Sequence, residues 1–169
     1  MILGLDVSTS TTGVCILDNN GNLILSDYVS LKKGKDIFDK GEIIKAYLEE
    51  IKDKYKIESI VIEKSLQTFR SGFSSAKTIS LLASFNGLTS WFCYDIFNIK
   101  PDYVSATSAR KQAGLTVPKG KKGKEVVYEW IVHDKKLIEE ELTRTGRPKP
   151  HMYDKCDAII IAMSGELND

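Results

Sequence analysis

Three strand-like runs fill the first 31 residues, and they constrain the fold more than anything after them. Met1 to Val7 is a mixed apolar run, Thr11 to Leu17 a second, and Asn22 to Leu31 a third. Between the second and third stands Asp18-Asn19-Asn20-Gly21, a hairpin turn signal. Connections this short leave no room for a crossover, so the three strands form an antiparallel meander.

The pattern then changes. From Lys35 to Tyr55, apolar residues at Ile37, Phe38, Ile43, Ile44, Tyr47, Leu48 and Ile51 recur at helical spacing beneath a charged outer face. Glu58 to Glu63 holds Ile60-Val61-Ile62, a short buried strand. A loop over Thr68–Gly72 follows, and a long helix is predicted from Ser74 to about Asn98. Tyr103–Val104 is a further short strand, and Ser105 caps a brief helix through Gln112. Gly114 to Gly123 is a loop rich in glycine and lysine. A helix from Lys124 to about Leu142, a linker over Thr145–Pro150 and a last helix from about Tyr153 to Gly165 complete the chain. Antiparallel strands followed by strand–helix alternation predict an α/β fold: a mixed five-stranded sheet, three strands antiparallel and then two parallel, with helices on both faces. At 169 residues, 42% of them hydrophobic, one domain over 1–169 with a full core is expected.

Acidic residues stand where this pattern is otherwise apolar. Asp6 ends the first strand and Glu63 ends the fourth, and adjacent central strands would bring both to one edge of the sheet. Burying either without a charge partner is costly. Asp154 and Asp157 are three residues apart at the start of the last helix, on one face, and the apolar run Ala158–Met163 behind them presses that face to the sheet. Singly, each reads more readily as a turn or helix-terminus residue than as a catalytic one. Four converging carboxylates would repel one another, and a pair of divalent cations is the obvious compensation. Oxygen-only ligands favour Mg²⁺, with Mn²⁺ as a substitute. Two such ions clamp an in-line phosphoryl displacement.

Net charge is only +1, which by itself argues against a polyanion-binding protein. The charge is unevenly placed, however. Between Lys100 and Lys124 lie seven basic residues (Lys100, Arg110, Lys111, Lys119, Lys121, Lys122 and Lys124) against one acidic residue, Asp102. A cleft enzyme needs positive charge only where the polyanion lies. The loop Lys119-Gly120-Lys121-Lys122-Gly123-Lys124 would meet phosphates with its ammonium and backbone N–H groups. Phe69, Arg70 and Phe73 follow Glu63 closely, and exposed aromatic residues beside an active site can wedge into a base stack. Leu81, Leu82, Phe85, Leu88, Trp91 and Phe92 are more than one buried helix face needs, so part of them is expected at a subunit interface. His151, three residues before Asp154, is a candidate outer partner of the carboxylates, whereas His133 falls in a charged, exposed stretch.

Cys15, Cys93 and Cys156 are widely spaced and odd in number, a pattern that fits a reduced, cytoplasmic protein better than a disulfide or zinc framework. No basic n-region or cleavage site marks a signal peptide at the start. Polar residues interrupt the apolar stretch from Thr78 to Ile99, which reads as a buried or interface helix rather than a membrane span.

The segments GLDVSTSTTG, VIEKS and DKCDAIIIA resemble the three catalytic segments of RuvC-type Holliday junction resolvases, with Asp6, Glu63, Asp154 and Asp157 at the matching positions. The element order agrees over nearly the whole chain, while close identity is confined to these motifs. The resemblance implies a ribonuclease H-like fold, Mg²⁺ dependence with two ions per site, and a homodimer that nicks two strands of branched DNA symmetrically, four-way junctions first and forks second. It places family lysines at Lys111 and at Lys124, with Lys122 a rival for the latter, and a junction-centre aromatic at Phe69, with Phe73 its rival. The chain departs from bacterial members around Phe69–Ser74 and is more basic around residue 120, as a divergent bacterial or virus-encoded member acting in the bacterial or host cytoplasm would be. Three other readings share parts of the pattern. A different ribonuclease H-like nuclease, acting on RNA–DNA hybrids or ribosomal RNA, would use the same carboxylates. A sugar-kinase-type ATPase would share GLDVSTSTTG but needs a second phosphate motif and an adenosine segment. A DNA-branch-binding module that does not cut would have no use for four carboxylates.

Overall fold

The computed structural model describes residues 1–65 and 75–165. Five strands, β1 (Ile2–Asp6), β2 (Thr11–Leu17), β3 (Leu23–Ser30), β4 (Ser59–Glu63) and β5 (Asp102–Val104), form one sheet in the order β3-β2-β1-β4-β5. The β1–β2 and β2–β3 pairs are antiparallel, and β4 and β5 join parallel to the far side of β1. The predicted mixed sheet is therefore the one observed. Asp18 closes the β2–β3 hairpin: its Oδ1 accepts from the backbone N–H groups of Asn20 and Asn22, both at 2.8 Å, and Gly21 takes the positive φ of 81°.

Alternation along β2 divides two apolar layers. Val14 and Ile16 face a core with Leu3, Leu5, Ile44, Leu48 and Phe85, beneath helices α1 (Ile37–Lys54) and α2 (Ala76–Phe97). Cys15 and Leu17 face a second core with Ala109, Val127, Ile131, Met152 and Ile159, beneath α3 (Ala106–Gln112), α4 (Gly123–Glu129) and α5 (Pro150–Gly165). Each large side chain so buried stabilises the fold by about 1.5–3 kcal/mol relative to exposure. Side-chain caps fix the helix starts. Asp36 accepts from the N–H groups of Phe38 and Asp39 at 2.9 Å, and Ser75 and Ser105 accept from Thr78 and Ser108 at 3.2 and 3.1 Å.

Helix α5 lies directly on β1 and β2, because those strands carry glycine beneath it. A Cβ on Gly4 would fall 2.6 Å from the amide nitrogen and 2.7 Å from the Cβ of Ala162, and one on Gly13 would overlap the carbonyl of Asp154. The helix starts at Pro150, earlier than the expected Tyr153, since proline suits a first helical position, where no N–H bond is lost.

One expectation fails. The helix predicted from Lys124 to Leu142 ends far sooner: α4 stops at Glu129, a wider π-helical turn occupies Trp130–Asp134, and Lys136 turns out of the helix with φ 53°. The amide of Leu137 bonds the carbonyl of Ile131 at 3.0 Å, and beyond it Leu142 pairs with Pro148 in a small antiparallel bridge. Cys15, Cys93 and Cys156 are buried, and burial pushes the thiols of Cys93 and Cys156 up to about 12. Among the described residues, no helix is long and apolar enough to cross a membrane.

Candidate active site

Parallel pairing of β1 and β4 sets Leu5 opposite Ile62, so one residue further on Asp6 and Glu63 leave the sheet side by side. Neighbouring strands stand about 4.8 Å apart, too close for two unshielded carboxylates to ionise without interacting. Helix α5 brings the other pair. Seated on Gly13 through the backbone of Asp154, it delivers Asp154 and Asp157 to the same end of the sheet. Asp6 is 9% exposed and Asp157 5%. The buried Asn86 of α2 supports this edge by donating its side-chain amide to the backbone carbonyl of Glu63 at 2.9 Å.

The electrostatics follow from this crowding. Burial, then the charges of Glu63, Asp157 and Asp154, hold the Asp6 carboxyl well above the usual carboxylate range. Glu63 is raised by burial and by Asp157, partly offset by Lys124, by a hydrogen bond from Asp6 and by Arg110. Asp157 and Asp154 are raised by burial as well, with Lys124 the chief opposing influence on both. The ammonium of Lys124 lies 3.7 Å from Asp154 and 3.5 Å from Asp157. Burial works against its charge, but Asp6, Asp157, Asp154 and Glu63 outweigh that and hold its pKa above the ordinary lysine value. Arg110 adds a second cation, its guanidinium 4.0 Å from Asp157.

A donor set of carboxylate oxygens alone, buried and mutually repelling, suits a hard divalent cation. In their present positions, no three His, Cys, Asp or Glu side chains among the described residues surround a common point closely enough to hold an ion. Lys124 and Arg110 supply the compensating charge instead. The chemistry of the donors fits a divalent ion, and their closing around one would require Lys124 to yield.

The sequence-derived candidates separate here. Asp6, Glu63, Asp154, Asp157 and Lys124 come together. Lys111 is exposed on α3, and the cation facing the carboxylates is its neighbour Arg110, which the sequence marks only as part of a basic stretch. A helical turn anchored by the buried Ala109 carries adjacent residues in different directions, so phase was the available signal. Lys119, Lys121 and Lys122 are exposed, and Lys122 pairs with Glu125 at 3.2 Å, away from the carboxylates. His151 stacks on Tyr28, with ring centroids 4.0 Å apart, and meets Glu141 at 3.1 Å. It still bears on the site, since its charge helps to lower Asp154. Phe69, Arg70 and Phe73 lie outside the described residues.

No protein-family model matches the chain, and no curated protein matches it. Solved structures do. Thermus thermophilus RuvC in complex with a Holliday junction substrate superposes with a TM-score of 0.67 at 13% identity, over 96% of this chain and 90% of that one. A second Thermus thermophilus RuvC structure gives 0.62 at 18% identity, over 96% and 91%. The yeast mitochondrial Holliday junction resolvase gives 0.60 at 15% identity, over 98% and 77%. The chain therefore has the ribonuclease H-like fold of the RuvC-type Holliday junction resolvases.

Proposed function

We propose that the chain is a metal-dependent, structure-selective endonuclease that nicks branched DNA and resolves four-way junctions by two symmetric cuts. The observation that carries this reading is the gathering of Asp6, Glu63, Asp154 and Asp157, with Lys124 between them, at one sheet end of a fold that also underlies a resolvase bound to its junction. Asp6, Glu63, Asp154 and Asp157 would hold two Mg²⁺ ions, or Mn²⁺ in their place. Bound there, the ions would activate a water and neutralise the leaving oxygen.

The chain's own groups do the rest. Lys124, freed from Asp154 and Asp157, is within reach of a phosphate held against the carboxylates and would offset charge building on it. Lys111 would contact the same strand from the exposed side of α3. Lys119, Lys121 and Lys122 would hold the backbone of a duplex arm without reading bases. Phe69, or its rival Phe73, would act at the junction centre, with Arg70 as a further DNA contact. A four-way junction has two-fold symmetry, so two equivalent sites are most simply supplied by a homodimer. Nuclease action would reside in a single domain, in the cytoplasm.

The test is incubation of the protein with labelled four-way junctions, forks, linear duplex and RNA–DNA hybrid in Mg²⁺. Paired symmetric nicks in the junction, with the duplex intact, are expected. A cut hybrid beside an intact junction would transfer the assignment to another ribonuclease H-like nuclease, and a bound but uncut junction would make the chain a branch-binding module.

A further inference from the structure

Arg110 and Gly123 touch in a way that no motif or comparison accounts for. The Arg110 side chain is only 18% exposed, its Nη2 is 4.0 Å from Asp157, and its Nε is buried with no hydrogen-bond partner. A guanidinium taken out of water on these terms is costly unless opposite charge beside it compensates. The carboxylates do so from one side, since Arg110 bears on both Asp157 and Glu63. On the other side sits Gly123, the first residue of α4. A Cβ there would fall 2.7 Å from Arg110 Cζ and 3.1 Å from Nη2. Glycine is a poor helix former. The backbone at 123 does not lie in the left-handed region either. What this position uses is the missing side chain, which lets the helix start rest on the guanidinium. The next residue is Lys124, whose ammonium returns to Asp154 and Asp157. The contacts thus close a ring from Asp157 to Arg110, to Gly123, to Lys124 and back to Asp157.

We propose that Arg110 is a positioning residue for Lys124: its guanidinium, set between Asp157 and Gly123, fixes where α4 begins and so aims the lysine ammonium at the carboxylates. The effect on cleavage rests on the nuclease reading, whereas the positioning itself does not. Two readouts separate them. In side-chain ammonium NMR spectra of the full chain, the Lys124 resonance is identified by its loss in Lys124→Ala, and it should stand apart from those of lysines remote from the carboxylates. Gly123→Ala inserts a methyl against the guanidinium without changing charge, and Arg110→Met removes the guanidinium. In both variants the Lys124 resonance should move into the envelope of those remote lysines while the thermal transition stays cooperative. Arg110→Lys, which restores the charge but not the planar contact, should return it only part of the way.

In single-turnover cutting at saturating protein, Gly123→Ala should slow the reaction by about 10- to 100-fold, as a misplaced catalytic group does. It should cause no further loss in a Lys124→Ala background, because both changes act through one group. A Lys124 resonance unmoved in both folded variants would overturn the proposal, as would full additivity of Gly123→Ala with Lys124→Ala. If wild-type protein cuts no substrate, the nuclease reading fails, and the resonance alone decides the positioning.

Discussion

Gly13 of β2 lies so close beneath Asp154 of α5 that a Cβ on the glycine would overlap the aspartate's carbonyl, with the carbonyl carbon 2.5 Å away and the Cβ of Ala158 3.2 Å away. The absence of one side chain therefore sets the height of the helix that carries half of the carboxylates. Both glycines that open and close the GLDVSTSTTG segment, Gly4 and Gly13, serve this contact.

Gly13→Ala is accordingly expected to lift α5 at its first turn. Overpacking of this kind costs about 1–3 kcal/mol. The larger consequence should fall on cleavage, because Asp154 and Asp157 would be drawn away from Asp6 and Glu63. The expected result is a modest fall in melting temperature with a disproportionate loss of cutting. A variant that loses stability but cuts normally would show that α5 has freedom the packing does not suggest.

Replacing the carboxylates should uncouple cutting from folding. Asp6→Asn, Glu63→Gln or Asp157→Asn should each reduce cleavage by about a thousandfold, equivalent to about 4 kcal/mol of transition-state stabilisation. Junction binding should persist or tighten, since a repulsive charge is removed. The same substitutions should stabilise the metal-free protein at neutral pH. Asp6, Glu63 and Asp157 all have folded pKa values raised above the ordinary carboxylate range. Such groups contribute stability that is fully present below their unfolded pKa, about 4, and is lost as pH rises through the folded value. Melting temperature without metal should thus fall as pH rises from about 4, and less steeply in Asp6→Asn. Glu141 has the opposite sign. Held at about 2 chiefly by its hydrogen bond with His151, helped by Lys149 and Lys155, it stabilises above its ordinary pKa and loses that contribution as pH falls toward 2. Melting curves from pH 3 to 8 in chelator, for wild type, Asp6→Asn and Glu141→Gln, would check both signs.

Strand order and the carboxylate cluster were legible because each depends on short-range pattern. The turn at Asp18–Gly21 forces the β2–β3 hairpin, and an acid ending an apolar strand marks where charge must be gathered. What the sequence hid depends on contacts between distant elements. Apolar spacing continues past Glu129 because Val127, Tyr128, Ile131 and Val132 are all buried, yet burial says nothing about whether Lys135 bonds back four residues, as in an α-turn, or five, to Trp130, as in the π-turn observed. Arg110 and Lys111 are chemically alike in sequence, and only the packing of α3 beside α5 decides that the first faces Asp157. Asn86 looked like an interruption in an apolar helix and proved to be the donor that holds the backbone of Glu63.

The basic loop should act on affinity while Lys124 acts on rate. Lys119, Lys121 and Lys122 are exposed, and only Lys124 reaches the carboxylates. Replacing the first three with alanine should weaken binding to all junction sequences alike, and the slope of log affinity against log salt should fall by about 0.9 per lost phosphate contact. Lys122 should contribute least, being paired with Glu125. Their removal should leave single-turnover cutting at saturating protein unchanged, whereas Lys124→Ala should slow it. An unaltered salt slope in the triple variant would mean that DNA is held elsewhere.

The exposed side of α2 is where a second copy is expected to dock. Leu88 and Phe92 turn towards α1, where a Cβ on Gly41 would meet them at 3.0 and 3.6 Å, and Phe85, Cys93 and Phe97 fill the core. The remaining face carries Trp91 and Tyr94, which are 59 and 38% exposed. Beside Trp91 and Tyr94 it also carries Gly87, above which a Cβ would meet nothing within 4 Å. Trp91 and Tyr94 hold each other in a tilted pair with centroids 5.8 Å apart, which presents a broad, already ordered apolar surface. Across a two-fold axis such a helix faces itself, and the open space above Gly87 is the natural seat for a tryptophan from the other subunit. Light scattering of the wild type at micromolar concentration should therefore give twice the chain mass. Trp91→Ala should weaken association by about 30-fold or more, the cost of about 2 kcal/mol typical of a central interface tryptophan. Trp91→Arg should leave a folded monomer that nicks one strand without the paired second cut. A wild-type protein of single-chain mass at these concentrations would remove α2 as the interface and leave symmetric cutting to two molecules meeting only on the junction.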